Sequence, residues 1–291
     1  MKRPEIAAFA YSEVGAACLE ELLCAGSNVA CVWTHEDDPN ETIWFRSVRE
    51  IARKAGIPVR TPERIGEAEI KFFRSLGAGL VFSFYYRKII PDEIIKSARL
   101  GAYNMHGALL PRYRGRACVN WAVLNGESET GATLHVMTDQ PDAGDIIGSE
   151  AVPIEFTDTA LDVSLKVAEA ARHVLARSLP ALEAGTAVRR PQDESQATYF
   201  GRRRPEDGRI DWNKSAVEIY NLVRAVTRPF PGAFTETEGR RYYIWRAEPL
   251  GGRAAPGRIV SRAPLLIGTG YGLLQIIEME PPLPPKGEIF E

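Results

Sequence analysis

The chain has 291 residues, 45% hydrophobic and 25% charged, with 36 Lys and Arg against 38 Asp and Glu for a net charge of −2. That balance fits a globular protein with a real core and excludes disordered, collagen-like and low-complexity architectures. It also excludes a chain-wide basic footprint for nucleic acid, and the length suits one large domain or, more naturally, two. The four cysteines, Cys18, Cys24, Cys31 and Cys118, have no C-x-x-C spacing and read as reduced thiols of a cytoplasmic protein, not as disulfide or zinc ligands. No stretch approaches the roughly 20 apolar residues of a membrane span, and the apolar run after Glu5 is too short for a signal peptide.

In chain order, residues 6–11 predict a buried strand and 14–25 a helix, with Ala17, Leu19, Leu22 and Leu23 at helical spacing and Gly26 as C-cap. Residues 28–34 form a β-branched run, and 44–55 an amphipathic helix closed by Gly56 and Pro58. A buried strand at 80–85, a helix at 91–98, a strand at 102–106 and a short helix at 119–124 follow. This alternation predicts a parallel, doubly wound α/β sheet. Residues 131–137 and 145–154 suit an antiparallel edge hairpin, and a long helix over 159–184 closes the unit. Residues 183–211 are rich in Gly, Arg, Pro, Gln and Asp without apolar period, as a connecting segment on the surface would be. After a helix at 215–226, Pro229-Phe230-Pro231-Gly232 opens five short strands, at 233–237, 241–249, 257–261, 265–269 and 272–279, which suggest a small β-barrel. The expected division is a catalytic domain over 1–185, a linker over 186–210 and a barrel domain over 211–291.

The densest polar cluster is Asn104-Met105-His106-Gly107-Ala108-Leu109-Leu110-Pro111, continuing Arg112-Tyr113-Arg114-Gly115-Arg116. Residues two apart on a strand share a face, so Asn104 and His106 point the same way. Gly107 and Pro111 end the strand, and the carboxyl end of a strand in an open α/β sheet is where ligands bind. Spacing alone fits a capping Asn and a surface His equally well. Asp139-Gln140-Pro141-Asp142-Ala143-Gly144-Asp145 reads by itself as a solvated acidic turn.

Three blocks in this order and spacing resemble the folate-dependent formyltransferase family: Asn104-x-His106-x-x-Leu109-Leu110-Pro111-x-Tyr113-Arg114-Gly115, then Asn125-Gly126-Glu127-x-Glu129-Thr130-Gly131-x-Thr133, then Asp142-Ala143-Gly144. The likeness runs from Ile6 to about Trp245 and includes Phe200-Gly201-Arg202-Arg203 and Pro231-Gly232-Ala233-Phe234. Phe82-Ser83-Phe84-Tyr85-Tyr86-Arg87, Arg114-Gly115-Arg116-Ala117 and Asn120-Trp121 are most similar to the branch that formylates UDP-4-amino-4-deoxy-L-arabinose, a step of lipid A modification and polymyxin resistance.

The resemblance implies a Rossmann-like formyltransferase domain followed by an OB-like barrel. It also implies transfer of a formyl group from 10-formyltetrahydrofolate to the 4-amino group of that UDP-sugar, with no metal. Asn104, His106 and Asp142 fall on the positions of the family's catalytic trio. In those roles Asn104 donates an N–H to the oxyanion of a tetrahedral intermediate. His106 takes a proton from the attacking amine and returns one to the departing folate nitrogen. Asp142, if folded against His106, raises its pKa. With no Ser or Cys in a nucleophile-like setting, transfer is expected to be direct.

By matched position, the resemblance implies that Lys88, Ile89, Ile90, Arg116, Thr138, Asp139, Gln140, Pro141 and Asp142 would line the folate, and that Tyr11, Arg112, Arg114 and Arg203 would meet the acceptor. Ile89 and Ile90 equally suit a buried helix approach. The clusters Arg112/Arg114/Arg116 and Arg202-Arg203-Arg204 suit either a diphosphate or a solvated face. Ala108 stands where the family often carries Ser.

No G-x-G-x-x-G follows the first strand, no P-loop is present, and Gly268–Gly272 reads as a turn. His35, His135 and His173 lack metal spacing; His135, among apolar neighbours on a strand, reads as structural, and His173 as surface. Methionyl-tRNA formyltransferase is the main rival reading. Residues 201–291 hold 14 Lys and Arg against 11 Asp and Glu, a surplus too small to predict a tRNA surface. Enzymes for other nucleotide-linked amino sugars, and a non-catalytic folate or nucleotide-sugar binding module, are the remaining alternatives. In bifunctional members a decarboxylase domain joins the transferase. These residues could not encode it, so the expectation is a stand-alone transferase or a chain ending near Pro281–Pro285.

Overall fold

Continuous apolar runs lead the chain because its central strands are buried on both faces, the signature of a parallel sheet covered by helices. The computed structural model describes residues 3–39, 41–237, 239–282 and 290; most of the closing stretch on which the expected chain end falls lies outside them. The elements of the first half are β1 (Glu5–Ala10), α1 (Ser12–Cys24), β2 (Asn28–Trp33), α2 (Val48–Lys54), β3 (Val59–Arg60), α3 (Glu67–Leu76), β4 (Leu80–Phe84), α4 (Asp92–Ser97), β5 (Gly101–His106) and β6 (Arg114–Gly115). Then come α5 (Cys118–Leu124), β7 (Glu129–Val136), β8 (Ile146–Pro153), α6 (Ala160–Ala184) and β9 (Tyr199–Phe200).

Seven strands form one sheet in the order β3-β2-β1-β4-β5-β7-β8. The first five run parallel, and β7 and β8 complete the sheet antiparallel. Strand order reverses between β1 and β4, which opens a crevice at their carboxyl ends. Ile6, Ala7, Ala8, Phe9 and Ala10 are wholly buried, and Phe9, Trp33, Val81 and Ala102 on one face of the sheet share a core cluster with Phe73 of α3 and Ile94 of α4. β3 and α3 carry no matching signal in the sequence reading: β3 is two residues long, and α3 buries only Phe73 fully.

The remaining elements are α7 (Ala216–Val226), β10 (Ala233–Thr237), β11 (Arg240–Leu250), β12 (Ile259–Arg262), β13 (Leu265–Gly268) and β14 (Leu273–Glu280). Ser215 and Glu218 start α7 as a capping box, each side chain satisfying the other's backbone N–H. The five strands make an antiparallel sheet in the order β10-β11-β14-β13-β12. A Rossmann-like α/β domain is thus followed by a small antiparallel β domain. By contacts, one compact unit comprises the residues through Cys118, Glu129–Pro153 and Ser164–Phe200; the other comprises Val119–Ser128, Ile154–Val163 and the chain from Gly201 onward. Among the described residues, no helix is long and apolar enough to cross a membrane.

Candidate active site

β5 ends at the carboxyl edge of the sheet, and its last residues set the site. Antiparallel pairing with β7 places Asn104 opposite His135 and His106 opposite Thr133. The chain then leaves the sheet at Gly107, where an added Cβ would lie 1.7 Å from the Tyr85 hydroxyl, so only glycine fits beneath that ring. Tyr113 sits in the left-handed region (φ 59°) and aims its carbonyl at His106. The Asp142 turn supplies the third member: Asp142 is also left-handed (φ 56°), and a Cβ at Gly144 would stand 2.0 Å from the Val136 carbonyl. The Asp-Ala-Gly motif is therefore a backbone requirement as well as a carboxylate.

Asn104, His106 and Asp142 converge. The Asn104 amide Nδ2 lies 3.1 Å from His135 Nε2 and donates to Asp142 Oδ1 at 3.4 Å. His106 Nδ1 is 3.5 Å from Asp142 Oδ1, with both side chains nearly buried. His106 Nε2 is 2.7 Å from the Tyr113 carbonyl, which can only accept, so Nε2 carries the hydrogen. The lone pair of the neutral ring is then on Nδ1, facing the carboxylate. His135 Nδ1 lies 2.9 Å from the Val136 carbonyl, which by the same reasoning leaves Nε2 to accept from Asn104. The Gly115 N–H donates to Asp142 Oδ2 at 2.9 Å.

Burial drives the His106 pKa below its ordinary value, and although Asp142 pulls it upward, burial wins. Asp142 thus acts in the expected direction, favouring the imidazolium, but burial outweighs it and the resting imidazole is neutral. Burial would raise the Asp142 carboxyl, yet the two histidines and the Gly115 N–H outweigh it and hold the group well below the usual carboxylate range. The pair therefore rests as neutral imidazole beside carboxylate, with an empty proton position between them. His135, read from sequence as a structural residue, belongs to this cluster; its partners become visible only through the β5–β7 register.

The other expected residues separate into groups. Ile89 is 89% exposed, whereas Ile90 is packed in the core. Lys88 donates to the Pro62 carbonyl. Thr138, Asp139, Gln140 and Pro141 form an exposed loop, and the Arg112 and Arg116 side chains are exposed. Tyr11 is buried, with its hydroxyl donating to Asp37 and the Arg87 guanidinium 4.6 Å above its ring. Beside it His35 stacks on Tyr86 and accepts the Arg87 N–H, and burial with Lys88 and Arg87 nearby lowers its pKa to about 4.

Arg114 departs from the expectation of acceptor binding. It is fully buried, and its fork makes hydrogen bonds to Gln192, Glu194 and Tyr199. All five N–H groups of a guanidinium are thereby used, leaving none for a diphosphate. Arg203 belongs to the second unit, where its guanidinium lies 4.7 Å from the Trp121 ring centroid and donates to the Asp207 carbonyl. Among the described residues no group of three His, Cys, Asp or Glu could hold a metal ion.

A family model described as formyl transferase matches residues 7–179, and one described as formyl transferase, C-terminal domain, matches 203–285. The structure is similar to an N-formyltransferase from Helicobacter canadensis solved with folinic acid and dTDP-3-aminofucose, at 21% identity, 94% of this chain, 99% of that one and TM-score 0.74. It is similar to WlaRD, a sugar 3N-formyl transferase solved with dTDP and 5-N-formyl-THF, at 20% identity, 97% and 100% coverage and TM-score 0.71. HypX from Aquifex aeolicus, solved with tetrahydrofolic acid, matches at 20% identity and TM-score 0.67 over 96% of this chain, which spans 44% of HypX. At these identities the likeness establishes a shared fold.

Proposed function

The chain belongs to the formyl transferase family, and on that premise we propose that it moves a formyl group from 10-formyltetrahydrofolate to the amino group of a nucleotide-linked sugar. The observation that carries this reading is the buried cluster of Asn104, His106 and Asp142, with a neutral His106 whose lone pair faces an ionised carboxylate.

Folate supplies an activated formyl carbon. The exposed Ile89 and the exposed loop at Thr138–Pro141 suit such a ligand, offering apolar surface and backbone polar groups. His106 Nδ1 accepts the proton that the amine loses on attack, and Asp142 at 3.5 Å stabilises the resulting imidazolium. The proton on Nδ1 is then available to the departing folate nitrogen. Asn104 holds its Asp142 contact at 3.4 Å, a long and weak bond. That N–H can turn to the negative charge developing on the formyl oxygen, while the bond to His135 keeps the amide oriented.

For the acceptor we propose UDP-4-amino-4-deoxy-L-arabinose, handled in the cytoplasm, on the wording of residues 82–87 and 114–117. The test offers 10-formyltetrahydrofolate with three acceptors in parallel: that UDP-sugar, a dTDP-linked amino sugar and charged initiator tRNA. Turnover with the UDP-sugar supports the full reading. Turnover with the dTDP-sugar alone keeps the chemistry and replaces the acceptor, and turnover with tRNA alone overturns the sugar assignment.

A further inference from the structure

We infer that Gln192 is a positioning residue that holds the Asp142 turn, with Arg114 as its fixed post. This rests on the catalytic roles proposed above for His106 and Asp142. Gln192 lies in a stretch to which the sequence assigned only a connecting role, yet its carboxamide is saturated. Nε2 donates to the carbonyls of Asp142 at 2.8 Å and Gly144 at 2.7 Å. Oε1 accepts from Arg114 Nε at 3.1 Å and Nη2 at 2.7 Å. An amide has two donor hydrogens and two acceptor lone pairs, so every position is used. The orientation is fixed as well: a flipped amide would set its oxygen against two carbonyls and its NH₂ against a guanidinium.

The clamp acts where backbone strain needs support. Asp142 is in the left-handed region, which strains a residue with a Cβ, and the two carbonyls that Gln192 grips bracket the turn. The same post reaches the other end of Asp142. Gly115, next to Arg114, donates its N–H to the carboxylate, and Arg114 and Gly115 form β6, paired to β9. Arg114 itself is held by Glu194 and Tyr199, two and seven residues beyond Gln192 on the same strap. Main chain and carboxylate of Asp142 are thus both set by contacts that converge on Arg114. The charged or titratable groups acting on His106 are Asp142, His135 and Arg114. A shift of the Asp142 turn would change the strongest of the attractive ones.

The test is Gln192→Glu, nearly the same shape. It keeps acceptors for Arg114 but replaces two N–H donors with an oxygen facing two carbonyls. Two readouts are taken on the full chain beside wild type: kcat and KM for formyl transfer across pH, and the NMR titration of the His106 ring in the free enzyme. The expected result is a 10–100-fold lower kcat, KM for both substrates within about threefold of wild type, and a His106 titration moved to lower pH as the carboxylate withdraws. Gln192→Met, apolar and of similar length, gives the same direction if the Glu variant folds poorly. Asp193→Ala, which removes an exposed side chain capping the neighbouring short turn, should leave both readouts at wild type. An unchanged kcat and titration in both Gln192 variants, or an equal shift in Asp193→Ala, overturns the clamp. Absence of transfer by wild type tells against the proposed function, and the NMR titration then still decides the clamp.

Discussion

Replacing Asp142 by Asn removes one charge while keeping shape and an oxygen for the Gly115 N–H. In the resting enzyme the cost is small, because His106 is neutral and Nδ1 offers only a lone pair to the carboxylate. The charge matters once a proton arrives. Opposite unit charges 3.5 Å apart interact by about 5 kcal/mol at an effective dielectric constant near 20, a value suited to sites of this burial. At about 1.4 kcal/mol per factor of ten, that corresponds to roughly a few thousandfold loss in rate. Single-turnover formyl transfer at saturating folate and acceptor measures it, with folate affinity measured separately by titration. The expected result is a rate lower by about 10²–10⁴-fold with folate affinity little changed. A loss under tenfold, or a folate affinity that falls as far as the rate, would refute the charge-stabilising role.

Gly107→Ala drives a methyl into the Tyr85 hydroxyl and should destabilise by about 1–3 kcal/mol. Tyr85→Phe in that background removes the atom that clashes and should recover part of the loss in urea melts; strictly additive effects would place the strain elsewhere. Arg114→Lys exchanges a saturated fork for a point charge in a buried site and should cost about 3 kcal/mol or more of stability. Wild-type stability with a raised KM for the acceptor would instead make Arg114 a ligand contact. His35 has a native pKa lowered to about 4 against about 6.5 unfolded. The unfolded chain therefore binds more protons between those values, and stability falls as pH drops through that window. His35→Gln should flatten the stability curve between pH 4 and 6.5, and an unchanged curve would contradict that contribution.

The sheet was legible because its central strands are buried on both faces, and Gly26, Gly56 and the Pro229–Gly232 signal punctuate the elements between them. Asn104 and His106 were legible through period-two spacing and the glycine and proline that stop their strand. His135 was not, because its neighbours on β7 look like core and only the cross-strand register brings it to Asn104. Arg114 misleads for a related reason: three arginines in five residues suggest solvent, and burial of the middle one depends on partners about 80 residues away. Gln192 lies in a segment without periodicity, so no local pattern marks it. The direction of the His106 shift was also hidden, since a nearby carboxylate can be anticipated from a motif whereas depth of burial cannot.

The most direct test of the central claim, that a buried neutral His106 is the proton acceptor in formyl transfer, is the pH dependence of the single-turnover rate in wild type and His106→Gln. The native pKa lies below the ordinary histidine value. The wild-type rate should therefore carry an acid limb centred below about pH 6.5, and the variant should lose both that limb and about 10²–10⁴ in rate. A variant that keeps the limb, or that transfers formyl at close to the wild-type rate, would remove His106 from the chemistry.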